Sequence, residues 1–495
     1  MRGRGTGCKM GGEIAGEGPG AVAGAGAEPG SEGAARVDET RVERDTMGEV
    51  RLPAAALYGA QTQRAVENFP VSGEALPARF IHALGFVKLA AARVNRELGL
   101  LEPAMAGAIE GAAREVAEGR HDDHFPIDVF QTGSGTSTNM NANEVIATLA
   151  SRELEAAVHP NDHVNLGQSS NDAIPTTLHV AAVLAIEEEL LPALGHLREA
   201  LAAKAIEFDD VVKIGRTHLM DAVPIRLGQE FGGYARQIEL AKGRIEAALP
   251  GLRELAIGGT AVGTGLNTHE EFGARVAREL SALTGTEFRE AANHFEAQGA
   301  RDAYVFAAGA LVAVAAAEMK IANDVRLMAS GPQAGLGELI LPAIQPGSSI
   351  MPGKVNPVIC ESVIQVGAQV TGNCQAITIG GQWGQLDLNV MLPMMAKNML
   401  ESVRILANVT RIFVDKCLVG TRANVERCEG YIEGSISMAT ALNPHIGYDA
   451  AAAIAKQSYA TGRTVREVAY EESGLSREQV DQALHPRRQT EAGGE

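Results

Sequence analysis

Ile186, Leu190, Leu194, Leu197 and Leu201 fall at spacings of four, four, three and four residues. That spacing puts all five on one face of a helix. Similar patterns run through 227–249 and 301–330. A chain with several such stretches, few period-two segments and no strand–helix–strand rhythm folds as long helices packed in a bundle. Aromatic residues are only 4% of the 495, while Ala and Gly are plentiful, which suits closely packed helices better than a β-sandwich. Pro192 and Gly195 are expected to kink or shorten the helix that carries the five apolar residues. The length allows roughly two to four domains.

The longest apolar run, AYVFAAGALVAVAAA between Asp302 and Glu318, is too short and too Ala-rich for a bilayer span of about 20 residues, and reads as a buried bundle helix. Net charge is −18, from 61 acidic and 43 basic residues, so neither nucleic acid nor an anionic membrane is expected as a partner. The five cysteines (Cys8, Cys360, Cys374, Cys417, Cys428) are odd in number and form no CxxC pair. They read as reduced, mostly buried thiols in a cytoplasmic protein without a zinc site. The basic start MRGRGTGCKM is followed by no apolar core, unlike a secretory signal, and Glu13, Glu17 and Glu28 argue against an organelle transit peptide. Residues 1–40 are Gly- and Ala-rich without an aromatic and are expected to be disordered, with order beginning near Val42.

Between the helical stretches lie polar clusters: QTGSGTSTNMNANE (131–144), HPNDHVNLGQSSND (159–172), KIGRTHLMDAVP (213–224), GGTAVGTGLNTH (258–269) and PGSSIMPGKVNP (346–357). They are too many and too rich in donors for plain connectors. The last is no nucleotide P-loop. Its Gly347 and Gly353 are separated by five residues, and Val355 stands where a magnesium-binding hydroxyl belongs. The glycines of 258–269 miss the dinucleotide spacing in the same way. Lys354 as a point charge, Asn356 as an amide donor, nearby Ser348 and Ser349, and a glycine-rich backbone fit a small carboxylate undergoing proton abstraction.

GSSIMPGKVNP resembles the signature of the fumarase/aspartase superfamily. TGSGTSTNMNANEV, HPNDHVN, SSND, GRTHLMDAVP and GGTAVGTGLNTH resemble the same superfamily in its order, over about residues 40–485. GRTH with His218 and MPGK with Gly353 resemble the class II fumarases, while GQLDLNVM (384–391) and NDHVN lean towards aspartases. The resemblance implies an all-α, three-domain subunit whose central long helices form a twenty-helix core in a homotetramer. Each active site would be built from three subunits. The division it suggests is a tail, 1–40, an N-terminal lyase domain, 41–167, a central bundle, 168–424, and a small helical C-terminal domain, 425–490. Here NPHIGYDAAAAIAKQ would begin one helix, and Ser476 with Gln479 has the pairing of a capping box.

The implied activity is reversible hydration of fumarate to L-malate through an aci-carboxylate, with no metal or other cofactor. Scattered cysteines cannot hold an iron–sulfur cluster. By resemblance Ser348 is the base, and His218, paired with Glu361, handles the water at C2. Ser134, Gly135, Thr136, Ser169, Ser170, Asn171, Thr217, Ser349, Lys354, Val355 and Asn356 would bind substrate. His159, Pro160, Asn161 and Asp162 resemble a second dicarboxylate site at the entrance. Ala156 stands where some members have Arg, and Leu166–Gly167 replace a more usual Lys-Ser, so this site is expected to be weak or absent, and a structural turn is the alternative for His159. An ammonia-lyase, or a structural protein that keeps the fold without the chemistry, are the other readings.

Overall fold

Five long helical stretches build the middle of the chain in this computed structural model, which describes residues 39–493. They are Ser170–Glu207, Leu227–Leu252, Asp302–Met328, Val358–Gly381 and Leu392–Phe413. Asp302–Met328 packs against both Leu227–Leu252 and Val358–Gly381, and Leu392–Phe413 closes the layer against Val358–Gly381 and Ser170–Glu207. Thr40 onward is one unit. The reading of residues 1–40 as disordered, and of Cys8, lies outside the described residues apart from Glu39 and Thr40. Glu39 precedes a hairpin of Thr40–Asp45 and Gly48–Pro53, so regular structure is already present before Val42.

The spacing of the apolar residues is realised directly. Ile186, Leu190, Leu194, Leu197 and Leu201 are all buried. The expected irregularity near Pro192 is also present, but earlier in the chain. Ser170–Ala185 passes through a π turn, Ile186–Leu190, before Leu191–Glu207 resumes. A proline ring clashes with the carbonyl four residues back, here Glu188, so the distortion falls one turn before the proline. Gly195 causes no break.

The run after Asp302 belongs to a helix of 27 residues, longer than the apolar stretch itself and, by length and composition, enough to cross a membrane. Tyr304, Leu311, Val314, Ile321 and Val325 are buried along it, and it carries the buried carboxylate of Glu318. Its other face is uncovered in the single chain, with Phe306 more than half exposed.

Among the described residues, strands occur only as five two-stranded pairs. The cluster 213–224 is the most consequential departure from the helical expectation, because Val212–Thr217 and Met220–Arg226 form an antiparallel hairpin. The C-terminal segment forms a separate small core of Ile432, Met438, Leu442, Ile454, Val468, Val480 and neighbours, into which the hairpin inserts Ile214. The expected helix at 443–457 is broken: Gly447, at φ +81°, separates Asn443–Ile446 from Tyr448–Thr461. Ser476 and Gln479 do form a capping box on Arg477–Ala483. Cys360, Cys374, Cys417 and Cys428 are buried free thiols.

Glu318 lies where helices meet, accepting one hydrogen bond from Thr410 Oγ1 at 2.7 Å, while its Oε2 has no partner. Burial pushes its carboxyl up to about 8, against the lowering effect of the Thr410 bond. The folded chain therefore holds a proton that the unfolded chain has already released above its ordinary carboxylate range. The stability this group contributes is complete below about pH 4 and is lost as pH rises through about 8. Glu318→Gln should remove that loss, on the order of 2–3 kcal/mol between about pH 6 and pH 8. Thermal melts at both pH values check it: the variant's gain over the parent must grow with pH.

Candidate active site

Two helix N-termini converge on one spot. Thr136–Leu154 begins after Gly135, and Ser170–Ala185 begins after Ser169. The Thr136 and Ser170 hydroxyls stand 2.8 Å apart, and Ser134 Oγ is 2.8 Å from Thr136 Oγ1. Each helix start carries unpaired N–H groups and the positive end of its dipole, so the pair is suited to a carboxylate. Gly135 has φ +72°, and a Cβ there would also meet Ile174 at 2.8 Å.

Two further segments are stitched to this spot. Asn171 Nδ2 donates to Ala261 O at 2.8 Å, which brings in the 258–269 cluster. Leu392 N donates to Gly133 O at 2.9 Å, which brings in 384–391. The approach there is so close that a Cβ on Gly133 would lie 1.8 Å from Val390 O.

Beneath lies a buried carboxylate that the sequence reading did not single out. Asp172 accepts from Ser169 N at 2.9 Å, Gly258 N at 3.1 Å and Thr260 N at 2.9 Å. Burial raises its carboxyl to about 6, opposed by these amides and by Lys88. Lys88 is equally buried and pushed down to about 7, with Asp172 opposing that shift; its Nζ donates to Asn165 and Gln168 at 3.0 and 2.9 Å. A lysine inside the apolar stretch HALGFVKLAAARV was the available signal.

The other predicted residues sit elsewhere. Thr217 and His218 are exposed at the hairpin tip, where Thr217 pairs with Met220 across a two-residue loop. His218 and Leu219 have φ of +57° and +61°, the left-handed pair that such a loop requires and that neither residue favours.

Ser348 is half-buried in the 346–357 loop, whose ends are clasped by Gly347 N to Lys354 O at 2.8 Å and Asn356 Nδ2 to Gly347 O at 2.7 Å. Ser348 Oγ accepts from Met351 N at 3.0 Å and Ile350 N at 3.3 Å. Ser349, Lys354 and Val355 are exposed. Gly353–Pro357 line a cavity of about 780 Å³ beside the end of Asp302–Met328. A second cavity, of about 430 Å³, contains Leu219 of the hairpin tip and shares Asp324 and Leu327 with the first.

Glu361 lies in the first turn of Val358–Gly381. Among the described residues no hydrogen bond joins it to His218, so the expected pair is not made within one chain. Nor does any join Ser348 or His218 to the Thr136–Ser170 spot.

His159 caps the π turn Pro160–Val164, its Nδ1 accepting from Asn161 N at 3.3 Å and Asp162 N at 3.0 Å. A structural turn is thus what the ring serves here. His159, Pro160 and Asn161 nevertheless line a cavity of about 640 Å³ with Arg44 and Arg152, although Glu43, Asp45 and Glu144 share it. Among the described residues no cluster of side chains has metal-ligand geometry.

Known proteins resemble this chain over most of its length. Residues 48–372 match the lyase family model, and 438–491 match the fumarase C C-terminus. A class II fumarate hydratase of Corynebacterium efficiens is 59% identical over 430 residues, covering 87% of this chain and 91% of that protein. The class II fumarate hydratase of Mycobacterium tuberculosis is 58% identical over 449 residues, 90% of this chain and 94% of that protein. The crystal structure of a class II fumarase from Schistosoma mansoni superposes with a TM-score of 0.89 at 40% identity, covering 91% of this chain and 99% of that one. The aspartase-like GQLDLNVM falls in a chain whose likeness is otherwise to fumarate hydratases. The chain belongs to the class II fumarate hydratase family of lyases.

Proposed function

We propose that this chain catalyses the reversible addition of water to fumarate, giving L-malate. The observation that carries this reading is its 58–59% identity to class II fumarate hydratases over about nine-tenths of the chain. The geometry supports it. Thr136, Ser134, Ser170 and Asn171, at two helix N-termini, supply neutral donors for a carboxylate. Ser169 and Gly135 shape those N-termini, and Thr217 would reach the substrate from the hairpin.

In the malate-to-fumarate direction, Ser348 as alkoxide takes the proton from C3. The electron pair moves into the adjacent carboxylate, giving an aci-carboxylate. The pair then returns to form the C2–C3 double bond as the C2–O bond breaks, and the leaving hydroxide takes a proton from His218. A free serine hydroxyl is too weak a base for this. The two amides that Ser348 Oγ accepts, from Ile350 and Met351, would stabilise its alkoxide, and Lys354 would add a positive charge. Lys354 and Asn356 would hold the carboxylate that gains charge, and Ser349 and Val355 complete the loop around it. Glu361 would orient His218.

The active assembly in this reading is a homotetramer, with each site built from three subunits. What supports it is that, among the described residues, no hydrogen bond joins His218 to Glu361 or joins His218 or Ser348 to the Thr136–Ser170 spot, together with the uncovered face of Asp302–Met328 around Phe306. Domain limits near 167 and 424 and a cytoplasmic location belong to the same proposal. A second dicarboxylate site at His159–Asp162 would be weak, because His159 Nδ1 is committed to the backbone and acidic side chains share the cavity.

Purified protein mixed with malate should generate the ultraviolet absorbance of fumarate. Ammonia release from aspartate with no reaction of malate would instead make it an ammonia-lyase, and inertness towards both would make it a structural protein. Ser348→Ala should lower kcat by about a hundredfold or more, the usual scale for a general base; near-normal turnover rejects Ser348 as base. Subunit exchange between Ser348→Ala and His218→Asn proteins should restore about a quarter of the parental activity, because the two residues come from different chains in each site. No recovery after proven exchange rejects the shared site.

A further inference from the structure

Glu338 is fully buried, and two cations of the His218 hairpin converge on it. Arg216 Nη1 lies 2.7 Å from its Oε1, and Lys213 Nζ lies 3.0 Å from its Oε2, off the hydrogen-bond direction. Lys213, 2% exposed, also donates to Glu230 Oε2 at 2.9 Å, so two carboxylates face two cations.

The chain's geometry is arranged for this meeting. Residues 213 and 216 would point to opposite faces of a regular strand. The register shift between Ile214 and Arg216, around Gly215, resets the alternation, so both side chains reach one carboxylate. Ile214 points the other way, into the C-terminal core.

Glu338 itself is held from all sides. Its N–H donates to Met328 O at 2.8 Å, and its carbonyl accepts from Asn424 N at 2.9 Å. The next two residues, Leu339 and Ile340, pair with Ala423 and Arg422. Tyr431 packs against Arg216 from the C-terminal segment, with Arg216 Cζ 5.6 Å from its ring.

Arg216 lies two residues before His218, and Glu338 lies ten residues before Ser348. A buried ion cluster adds little net stability, because desolvation offsets attraction. Removing one member leaves a charge uncompensated, so the arrangement specifies position more than it stabilises. We propose that Glu338 is a positioning residue, which through Arg216 and Lys213 sets where the hairpin presents His218. The proposal rests on the reading of His218 as the group that handles the water at C2.

Full-length Arg216→Lys, Arg216→Met and Glu338→Gln decide it. Arg216→Lys keeps the charge but loses the planar fork, so it is the mildest. Displacement of His218 by about an ångström predicts kcat for malate lowered about tenfold to a hundredfold, with KM changed less than about threefold. The order should be parent, then Arg216→Lys, then Arg216→Met, with the melting temperature and oligomeric state of Arg216→Lys near the parent's. Glu338→Gln should lower kcat further and also lower the melting temperature. A lowered melting temperature with parental kcat in the folded variants would make the cluster merely structural and overturn the proposal. If Arg216→Met and Glu338→Gln do not fold, Arg216→Lys alone decides by the same criterion. A parent protein that turns over neither malate nor fumarate would overturn the underlying functional reading instead, whatever the variants show.

Discussion

Asp172 organises the carboxylate-binding region. Its buried carboxylate collects the amides of Ser169, Gly258 and Thr260, and it does so from the first turn of the helix whose start presents Ser170 and Asn171. A buried carboxylate cannot stay ionised without such donors, and the donors of a glycine-rich loop cannot stay buried without an acceptor. Each therefore fixes the other. Lys88 stands behind with Asn165 and Gln168, which tie the 159–172 segment to the same centre. Thr136 and Ser170 meet at 2.8 Å above this network.

The same logic recurs at the hairpin. Lys213 and Arg216 answer Glu338 on one side while Ile214 is buried in the C-terminal core on the other. Held on both faces, the hairpin can carry a tip whose two residues sit at unfavourable positive φ. The Ser348 loop is built differently. It closes on itself through Gly347, Lys354 and Asn356, leaving its tip outside any core. A rigid pocket, a braced hairpin and a self-clasped loop are a suitable set of parts for chemistry in which binding groups stay fixed while a base is brought to the substrate.

Much of this was legible in the residues. The apolar face from Ile186 to Leu201, the helices at 227–249 and 301–330, and the Ser476 capping box are local patterns, and local patterns survive folding. The motifs named the candidate residues for the same reason. What was not legible depended on distance. The hairpin at 212–226 was hidden because its strands are stabilised by Glu338 and the C-terminal core, far away in sequence. Asp172 and Lys88 escaped notice because their importance is burial, which neither residue type announces. The break at Gly447 was not expected, and the distortion near Pro192 falls a turn earlier than the proline, since it lands where a carbonyl must move.

By itself, the sequence determined the helical class, the family resemblance and the residue types available for acid–base chemistry, because periodicity and short motifs are properties of neighbours along the chain. Tertiary structure decided which motifs share a place. It joined 131–144, 168–172, 258–269 and 384–391 around two helix N-termini, and among the described residues it made no hydrogen bond between His218 and Glu361 within one chain. The physical reason is that buried polar groups must find partners, and those partners lie in segments that only folding brings together.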